Sequence, residues 1–435
     1  MKNTYLCENV EIRDNELFFA SQKVSLLAEK YGTPLYLMDE DRIRERIRAF
    51  QTAVRKTFGE KGGVLYASKA ASFKRIYEIM KEEGMGIDVV SSGEIFTALK
   101  ASFPLENAYF HSNNKTDEDI SFAIEKGVGF FVVDNKEELF AIDNEAKKRG
   151  IVQNILLRIT PGIDPHTYAA VATGKVDSKF GSAIKTGAAE EILKFALSCE
   201  SVNTVGFHCH VGSQVFDSEV FLLTAEVMLK FVADMKEKYN FNCQKLDLGG
   251  GFGVPYLPEQ PTLNIEEVIA QTGFFIKEKI KDLNLEMPEI LFEPGRSIVA
   301  DSGMTVYKVG SVKKIPEFRN YVSVDGGMAD NIRYCLYGSR YSFLPVSASD
   351  GEKQMNATVV GRCCESGDIL GVDISLPENI KRGDYLAVLT TGAYNYSMAS
   401  NYNRIPRPPV VMLKGGESYV AVRREGLENL TSLDE

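Results

Sequence analysis

The stretch Gly63–Ser92, GVLYASKAASFKRIYEIMKEEGMGIDVVSS, contains one complete strand–helix–strand unit. The apolar run Gly63–Ala70 predicts a strand, Ser72–Gly84 has a helical pattern, and Gly86–Ser92 predicts a second strand. Strands that alternate with helices in this way are typical of parallel β/α folds. No dinucleotide-binding glycine fingerprint follows the first strand, which disfavours a doubly wound sheet.

The same unit repeats as far as Ser297. Eight strands are predicted, over Gly63–Ala70, Gly86–Ser92, Ala108–Asn114, Phe130–Asn135, Asn154–Gly162, Thr204–Ser213, Lys245–Gly253 and Glu289–Ser297. Helical patterns lie between them, at Ser72–Gly84, Gly93–Ser102, Asp117–Lys126, Lys136–Arg149, Ala188–Ser198, Ser218–Tyr239 and Ile265–Leu283. Eight strands in this order predict a (β/α)8 TIM barrel.

The pattern changes after Ser297 to short alternating runs separated by turn residues, which predicts a β domain of sandwich or barrel type. These runs are Thr305–Val312, Tyr321–Asp325, Ala357–Val360, Tyr385–Leu389, Val410–Leu413 and Tyr419–Val422. We expect two N-terminal runs, Glu11–Ile12 and Glu16–Phe19, to pair with this sheet. The predicted domains are therefore a barrel over residues 36–297 and a β domain from residues 1–35 and 298–435.

The composition of the chain disfavours several classes of function. The chain of 435 residues has a formal net charge of -10, which disfavours nucleic acid as a partner because binding it requires clustered Lys and Arg. No apolar run is long enough to span a bilayer, and the N-terminus lacks a secretory pattern, so we expect a cytoplasmic protein without a membrane partner. Seven irregularly spaced cysteines predict reduced thiols rather than a disulfide framework.

Ionisable side chains lie in or at the end of nearly every predicted strand. They are Lys69, Asp88, His111, Arg158, His210, Asp247 and Glu293. Barrel enzymes place their chemistry at the carboxyl ends of the strands, and such groups are seldom buried unless paired. Together they predict a site at the barrel mouth, although any one of them could simply be a satisfied polar group lining it.

Lys69 is the candidate nucleophile. Strand alternation places it on the face of Leu65 and Ala67, which we expect to point into the barrel. Apolar surroundings would lower the pKa of this lysine and make its amine available for a Schiff base. A structural or salt-bridged lysine is the alternative.

Two further segments suit an anionic cofactor. DLGGGFG, Asp247–Gly253, places four glycines at the end of strand seven, where they could form either a phosphate-binding nest or a tight turn. Glu293-Pro294-Gly295-Arg296 closes strand eight. Glu293 could hold a ring nitrogen and Arg296 a phosphate or carboxylate, or the two could pair with each other.

The histidines and the cysteines each allow more than one functional interpretation. His208 and His210 share one strand face, which would suit metal ligation in a barrel hydrolase or stacking on a cofactor ring. The chain has only four histidines, so we predict no metal. The adjacent Cys363-Cys364 could be core thiols or a reactive site.

Five separated segments together resemble the fold-type III pyridoxal-phosphate decarboxylases, and most closely their diaminopimelate decarboxylase branch. They are Tyr66–Ala70, Gly206–Gln214, Gly249–Gly253 after Asp247-Leu248, Glu293–Arg296 and Cys364–Asp368. The resemblance spans nearly the whole chain. It implies pyridoxal 5'-phosphate as cofactor and a homodimer whose active sites are shared between subunits.

The resemblance also implies roles for individual residues. Lys69 would form the Schiff base, His210 would stack on the ring and Glu293 would contact the pyridine nitrogen. The implied cofactor-binding set is Lys69, Asp88, His210, Ser213, Gly250, Gly251, Glu293, Gly295, Arg296 and Tyr394. The similar alanine racemase fold has an arginine at the ring nitrogen, so a glutamate favours decarboxylation over racemisation.

The implied substrate is meso-2,6-diaminopimelate, decarboxylated to L-lysine and CO2 in the last step of lysine biosynthesis. Cys364 would donate the proton to the carbanion and would enter from the partner subunit. The implied substrate-binding residues are Arg296, Arg333, Tyr337, Glu365 and Tyr394. Ornithine, D-ornithine, D-lysine or a related carboxylated amine is the alternative substrate. A catalytically silent homologue is disfavoured because Lys69, Glu293 and Cys364 are all present.

The chain departs from the family pattern at three places. Tyr334-Cys335 stands where the family commonly has Pro-Ala, and this changes the wall beside Arg333. Ala71 replaces the usual Asn after the Lys-Ala pair. The cysteine is doubled at Cys363-Cys364, and alignment on the Glu-Ser-Gly-Asp that follows selects Cys364 as the acting thiol.

Overall fold

The computed structural model describes residues 7–163, 176–347 and 353–435. Within these, the chain divides into two compact units. The barrel unit comprises Arg46–Gly253 and Thr262–Ser297, and the β unit comprises Met1–Glu45, Val254–Pro261 and Ile298–Glu435. The β unit therefore includes residues 36–45 and 254–261, both of which the sequence places in the barrel.

Eight parallel strands form the barrel, at Gly62–Ala67, Gly86–Val89, Ala108–Phe110, Phe130–Val133, Gln153–Thr160, Val202–His208, Lys245–Asp247 and Glu289–Phe292. Each strand pairs in parallel with the next along the chain. The eighth strand pairs with the first, through Ile290 with Gly62 and Phe292 with Val64, so the sheet closes. The predicted (β/α)8 fold is confirmed.

Helices alternate with these strands, at Lys74–Glu82, Ser92–Lys100, Asp117–Glu125, Lys136–Arg149, Ala188–Ala196, Ser218–Tyr239 and Ile265–Asp282. Helix Glu40–Phe58 precedes the first barrel strand, and short Arg296–Val299 follows the last. Side-chain caps fix several N-termini; Asn135, for example, accepts a hydrogen bond from Glu138 N at 2.9 Å.

The barrel core is a cluster of buried apolar side chains, one from each of six strands: Leu65, Tyr109, Val132, Leu156, Val205 and Leu291. Each strand ends earlier than predicted, because the polar residues at its carboxyl end turn into loops instead of continuing the ladder. Strand seven stops at Asp247, for example, and Gly249 has a φ of +69°. These loops carry the ionisable residues of the barrel mouth.

In the β unit, nine strands join in one sheet, at Leu35–Asp39, Gly303–Ile315, Arg319–Val324, Phe343–Pro345, Gln354–Val360, Ile369–Pro377, Tyr385–Leu389, Val410–Lys414 and Glu417–Val422. Leu35–Asp39 is buried throughout and pairs on both sides, antiparallel to Gly303–Ile315 and parallel to Val410–Lys414. It therefore ties the N-terminal part of the chain to the C-terminal sheet.

The first two runs do not join that sheet as strands, although Glu16 forms an antiparallel bridge with Ser347 and Leu17 N donates a hydrogen bond to Val346 O at 2.8 Å. Val10–Arg13, Glu16–Phe19 and Gln22–Lys23 form a three-stranded sheet of their own, joined by tight turns. Its apolar face still packs into the core of the unit, where Leu17 and Phe19 belong to the same buried cluster as Val306 and Val411. Among the described residues, no helix is long and apolar enough to cross a membrane.

Candidate active site

Lys69 lies in a 3₁₀ turn, Ser68–Ala70, directly after the first barrel strand. The strand ends at Ala67, so strand alternation no longer sets the direction of this side chain. Lys69 is exposed, and the expectation that apolar side chains enclose it is wrong. Burial raises the pKa of Asp88, and the nearby charge of Lys69 is among the groups that oppose this rise. The amine therefore stands beside the acidic groups of the barrel mouth.

Glu293 follows the eighth barrel strand and lies between two histidines. His111 Nε2 is 2.8 Å from Glu293 Oε1, and His208 Nε2 is 3.1 Å from Glu293 Oε2. All three side chains are buried. Burial by itself would raise the pKa of Glu293, but the two histidines lower it well below its ordinary value. The carboxylate is therefore anionic.

His208 is neutral at physiological pH, because burial lowers its pKa to about 3 despite the adjacent carboxylate. With Nε2 protonated, it donates a hydrogen bond to Glu293. The sequence reading had considered His208 for metal ligation together with His210. Among the described residues, however, the cluster with metal-ligand spacing is His111, His208 and Glu293, whose ligand atoms lie within 4.8 Å of one another. The same arrangement also suits a carboxylate held for a ring nitrogen.

His210 lies just beyond strand six, and its Nδ1 accepts a hydrogen bond from Gly250 N at 3.3 Å. Burial lowers the pKa of this histidine well below its ordinary value, and the charges of Lys69 and Arg158 lower it further. Its ring is therefore uncharged, as stacking on a flat cofactor requires. The bond to Gly250 also links this ring to the glycine turn.

The glycines after strand seven form a tight turn against neighbouring backbone. Gly249 and Gly251 have φ values of +69° and +104°, and Asp247 Oδ1 accepts a hydrogen bond from Gly249 N at 2.8 Å. A Cβ on Gly250 would lie 2.1 Å from the carbonyl oxygen of Glu293. Only glycine fits these positions, and the turn has the composition of a phosphate-binding nest.

Arg296 and Ser213 lie together in the barrel unit, where Arg296 Nη2 donates a hydrogen bond to Ser213 Oγ at 2.9 Å. Gly295 packs against the first strand, since a Cβ there would lie 2.9 Å from the Cβ and carbonyl oxygen of Ala67. A guanidinium, a hydroxyl and a glycine turn are the donors that a phosphate monoester requires. With the amine of Lys69 and the anionic Glu293, these residues fit pyridoxal 5'-phosphate.

Arg158, another ionisable residue of the predicted strands, contacts residues that hold the fold together. It is buried in the fifth barrel strand, with Nε 4.0 Å from Asp134 Oδ1 and its guanidinium 4.3 Å from the centre of the Phe180 ring. Asp134 also accepts a hydrogen bond from Gly181 N at 2.9 Å. This pair therefore anchors Phe180 and Gly181 to the barrel.

In the β unit, Arg333 lies between two aromatic rings. Its guanidinium carbon is 5.3 Å from the centre of the Tyr337 ring and 5.0 Å from that of Tyr394. Arg333 is buried, and Nη2 is 3.5 Å from Ser339 Oγ. Its Nε has no hydrogen-bond partner among the described residues. The arrangement leaves a desolvated cation that can accept an anion.

Residues 361–368, here called the thiol loop, carry the adjacent cysteines. Cys364 is exposed, and its backbone N donates a hydrogen bond to Asn403 Oδ1 at 2.7 Å. Cys363 is half-buried, and burial together with Asp368 raises its pKa to about 11. Glu365 is exposed, and its carboxylate accepts a hydrogen bond from Gly367 N at 3.2 Å.

The sequence analysis assigns no role to two buried carboxylates, Asp330 and Asp368, which accept hydrogen bonds from the backbone of these loops. Asp368 accepts hydrogen bonds from Met328 N at 2.6 Å and from Cys363 N at 2.7 Å. Asp330 accepts one from Gly327 N at 3.0 Å and another from the hydroxyl of Tyr307. An acidic residue three positions after the glycine pair Gly326-Gly327 was the signal that could have identified Asp330.

The structure thus groups the predicted residues by unit. The barrel unit contains Lys69, Asp88, His210, Ser213, Gly250, Gly251, Glu293, Gly295 and Arg296, and the β unit contains Arg333, Tyr337, Cys364, Glu365 and Tyr394. The first group has the amine, acid and phosphate donors that pyridoxal phosphate requires. The second has a buried cation, Arg333, and an exposed thiol, Cys364.

Comparison with known proteins agrees with this division. Residues 40–300 match the family described as "Pyridoxal-dependent decarboxylase, pyridoxal binding domain". The barrel is therefore a pyridoxal-binding domain, and its cofactor is pyridoxal 5'-phosphate.

Relatives that match most of the chain indicate which kind of pyridoxal-dependent decarboxylase this is. Diaminopimelate decarboxylase of Bacillus subtilis is 45% identical over 408 residues, covering 94% of this chain and 92% of that protein. The crystal structure of the M. jannaschii diaminopimelate decarboxylase in co-complex with L-lysine has a TM-score of 0.91 and 34% identity, with 98% of each chain covered. That of a Vibrio vulnificus lysine/ornithine decarboxylase has a TM-score of 0.75 and 25% identity, covering 90% of this chain and 97% of that one. The chain belongs to the diaminopimelate decarboxylase family of pyridoxal-dependent decarboxylases.

Proposed function

We propose that this enzyme decarboxylates meso-2,6-diaminopimelate to L-lysine and CO2, the last step of lysine biosynthesis. The observation that carries the proposal is the environment of Arg333, a buried guanidinium between the rings of Tyr337 and Tyr394. Diaminopimelate has a second carboxylate at its far end, and ornithine and lysine do not. A desolvated arginine is costly to bury unless an anion pairs with it, so the site suits the substrate with that anion.

The barrel residues hold the cofactor in this proposal. Lys69 would bind it covalently, His210 would lie against its ring, and Gly250, Gly251 and Ser213 would hold the phosphate. When bound, pyridoxal phosphate supplies an electron sink for the carbanion that loss of CO2 leaves. Glu293 keeps the ring nitrogen protonated, and its own anionic form is supported by the contacts with His111 and His208.

Asp88, Gly295 and Arg296 complete the cofactor-binding set. Asp88 is buried 3.8 Å from His111, and Gly295 lies close to the strand that precedes Lys69. Arg296 adds positive charge beside Ser213 for the phosphate or a substrate carboxylate.

The β unit recognises the far end of the substrate. Arg333 and Tyr337, with Arg296, bind the distal carboxylate, and the carboxylate of Glu365 binds the distal ammonium. Tyr394 contacts both Arg333 and the cofactor phosphate in this assignment, and the 5.0 Å ring contact supports the first part of it. A cation and an anion side by side exclude substrates with only one distal charge.

Cys364 donates the proton that replaces CO2. Its exposure supports this role, whereas the neighbouring Cys363 is half-buried and its pKa is raised to about 11. We assign Cys364 and Glu365 to the active site of the partner subunit, so that the enzyme is a homodimer. We also assign it to the cytoplasm.

Shared sites can be tested by mixing two inactive variants. Lys69→Ala and Cys364→Ala subunits, mixed in equal amounts after dissociation, should regain about one quarter of wild-type activity. Half of the dimers are then mixed, and each has one site with both groups intact. The absence of any recovery, when mixed dimers are shown to form, would contradict shared sites.

The substrate assignment is tested by CO2 release from diaminopimelate, ornithine, lysine and arginine with the purified holoenzyme. Release from meso-diaminopimelate alone, or far above the others, supports the proposal. The alternative is a decarboxylase for another basic amino acid, which the likeness to the Vibrio vulnificus lysine/ornithine decarboxylase keeps open. Release from ornithine without release from diaminopimelate would establish that alternative.

A further inference from the structure

The thiol of Cys335 contacts the thiol loop. Its Sγ lies 2.8 Å from the carbonyl oxygen of Gly367 and 3.3 Å from that of Ile369. Cys335 belongs to the short helix Arg333–Tyr337. The contact therefore joins the helix that carries Arg333 to the loop that carries Cys364 and Glu365.

The chemistry of the contact requires a protonated thiol. Both acceptors are carbonyl oxygens, so the sulfur must donate its S–H. Cys335 is exposed, but partial desolvation of its sulfur raises the pKa of the thiol, which therefore stays protonated and able to donate. A side chain without a donor, such as alanine, could not make this link.

The thiol loop is also held at its inner side. Asp368 is buried and accepts hydrogen bonds from Cys363 N and Met328 N. A Cβ on Gly327 would lie 2.6 Å from the Asp368 carboxylate, so backbone packs closely around this anchor. Asp368 fixes the base of the loop, and Cys335 holds the carbonyl groups on either side of Asp368.

We propose that Cys335 is a positioning residue that holds the thiol loop at a fixed place relative to the Arg333 helix. The inference rests on the proposed function, in which Cys364 donates the proton that replaces CO2 and Glu365 binds the distal ammonium of the substrate. Loss of the link lets the exposed part of the loop move, and the reacting thiol then spends less time in its working position.

Amide hydrogen exchange of residues 361–369 measures this directly, without substrate. We expect Cys335→Ala to increase exchange there by about 2- to 5-fold, the effect of losing one or two weak hydrogen bonds. Cys335→Ser keeps a donor and should exchange close to wild type. Cys199→Ala is the matched control, because Cys199 Sγ also contacts a carbonyl oxygen, that of Phe195, but lies in the barrel unit. It should leave the loop unchanged.

Turnover provides the second readout. Cys335→Ala should lower kcat by a similar factor, and Cys335→Ser should restore it. Unchanged exchange in Cys335→Ala overturns the proposal, as does a Ser variant that exchanges like the Ala variant, or faster exchange with unchanged kcat. Because exchange needs no substrate, its result stands even if the enzyme acts on an amino acid other than diaminopimelate.

Discussion

His111 Nε2 lies 2.8 Å from Oε1 of Glu293, with both side chains buried at the barrel mouth. His208 contacts the other oxygen of the same carboxylate. A buried carboxylate is costly unless it is paired and hydrogen-bonded; here His208 donates a hydrogen bond to one oxygen, and the His111 imidazole lies against the other. The barrel thereby keeps an anion buried at its mouth.

Glu293→Gln removes this anion and preserves the shape of the side chain. We expect kcat to fall by about 100-fold or more, because a preorganised charge at the reacting system is lost. Glu289→Gln is the matched control: Glu289 begins the same strand and pairs with Lys245 at the opposite end. Steady-state CO2 release measures both variants. A Glu293→Gln enzyme as active as the control would contradict the role of the carboxylate.

The two adjacent cysteines should differ in function. Cys364→Ala removes the exposed thiol assigned to proton donation, and we expect turnover to fall by about 100-fold, the usual contribution of a positioned acid. Cys363→Ala removes a half-buried thiol beside Asp368 and should retain most activity. The two variants are matched controls for each other in CO2 release. A larger loss of turnover in Cys363→Ala than in Cys364→Ala would identify Cys363 as the proton donor instead.

Arg333→Ala should weaken diaminopimelate binding by about 2–5 kcal/mol, since it leaves a desolvated carboxylate without its partner. The steady-state KM for diaminopimelate then rises, and the absorbance band of the lysine-linked cofactor stays because Lys69 is unchanged. Arg340→Ala, which removes an exposed arginine seven positions later, is the control. An unchanged KM in Arg333→Ala would contradict the proposal that Arg333 binds the distal carboxylate of the substrate.

Asp330 should give stability a defined pH dependence. Burial raises its pKa to about 7, with the Tyr307 hydrogen bond opposing the rise. Between about pH 4 and 7, unfolded chains ionise this group and folded chains keep it protonated, so its contribution to stability is lost as pH rises. Relative to wild type, the unfolding free energy of Asp330→Asn should therefore increase by about 1.4 kcal/mol per pH unit across this window.

Urea denaturation at several pH values measures that difference. Asp14→Asn is the control, because Asp14 is exposed and lies in the same unit. Its difference from wild type should stay flat over the same range. If the difference in unfolding free energy for Asp330→Asn were also independent of pH, Asp330 would not be protonated in the folded protein.

Lys69→Ala should abolish covalent attachment of the cofactor. Wild-type protein with pyridoxal phosphate should show the long-wavelength absorbance of a lysine-linked cofactor, and the variant should lack it. Lys74→Ala alters an exposed lysine of the next helix, paired with Glu78, and should keep the band. An intact band in Lys69→Ala would place the attachment at another lysine.

Strand and helix periodicity predicted the barrel well, because each β/α unit contains its own apolar run and its own turn residues. The boundaries were less accurate at the mouth, where Lys69 and Gly249 lie in turns that look like strand continuation in sequence. Strand Leu35–Asp39 was missed because its partners, near Met304 and Val411, are far away along the chain. Such long-range pairing leaves no local signal.

Residue types identified much of the candidate site, but contacts did not follow from them. Glu293 and His208 were noted as separate polar residues, and only the closed barrel brings them to 3.1 Å. The burial of Arg333 between Tyr337 and Tyr394 likewise depends on folding around Asp330 and a short helix. The contact of Cys335 with the thiol loop could not be read from a sequence departure alone.

Product analysis tests the central claim most directly. Holoenzyme incubated with meso-diaminopimelate should form L-lysine and CO2 in equal amounts, and Lys69→Ala protein should form neither. Equal release of CO2 and a diamine from ornithine, with no lysine from diaminopimelate, would contradict the account.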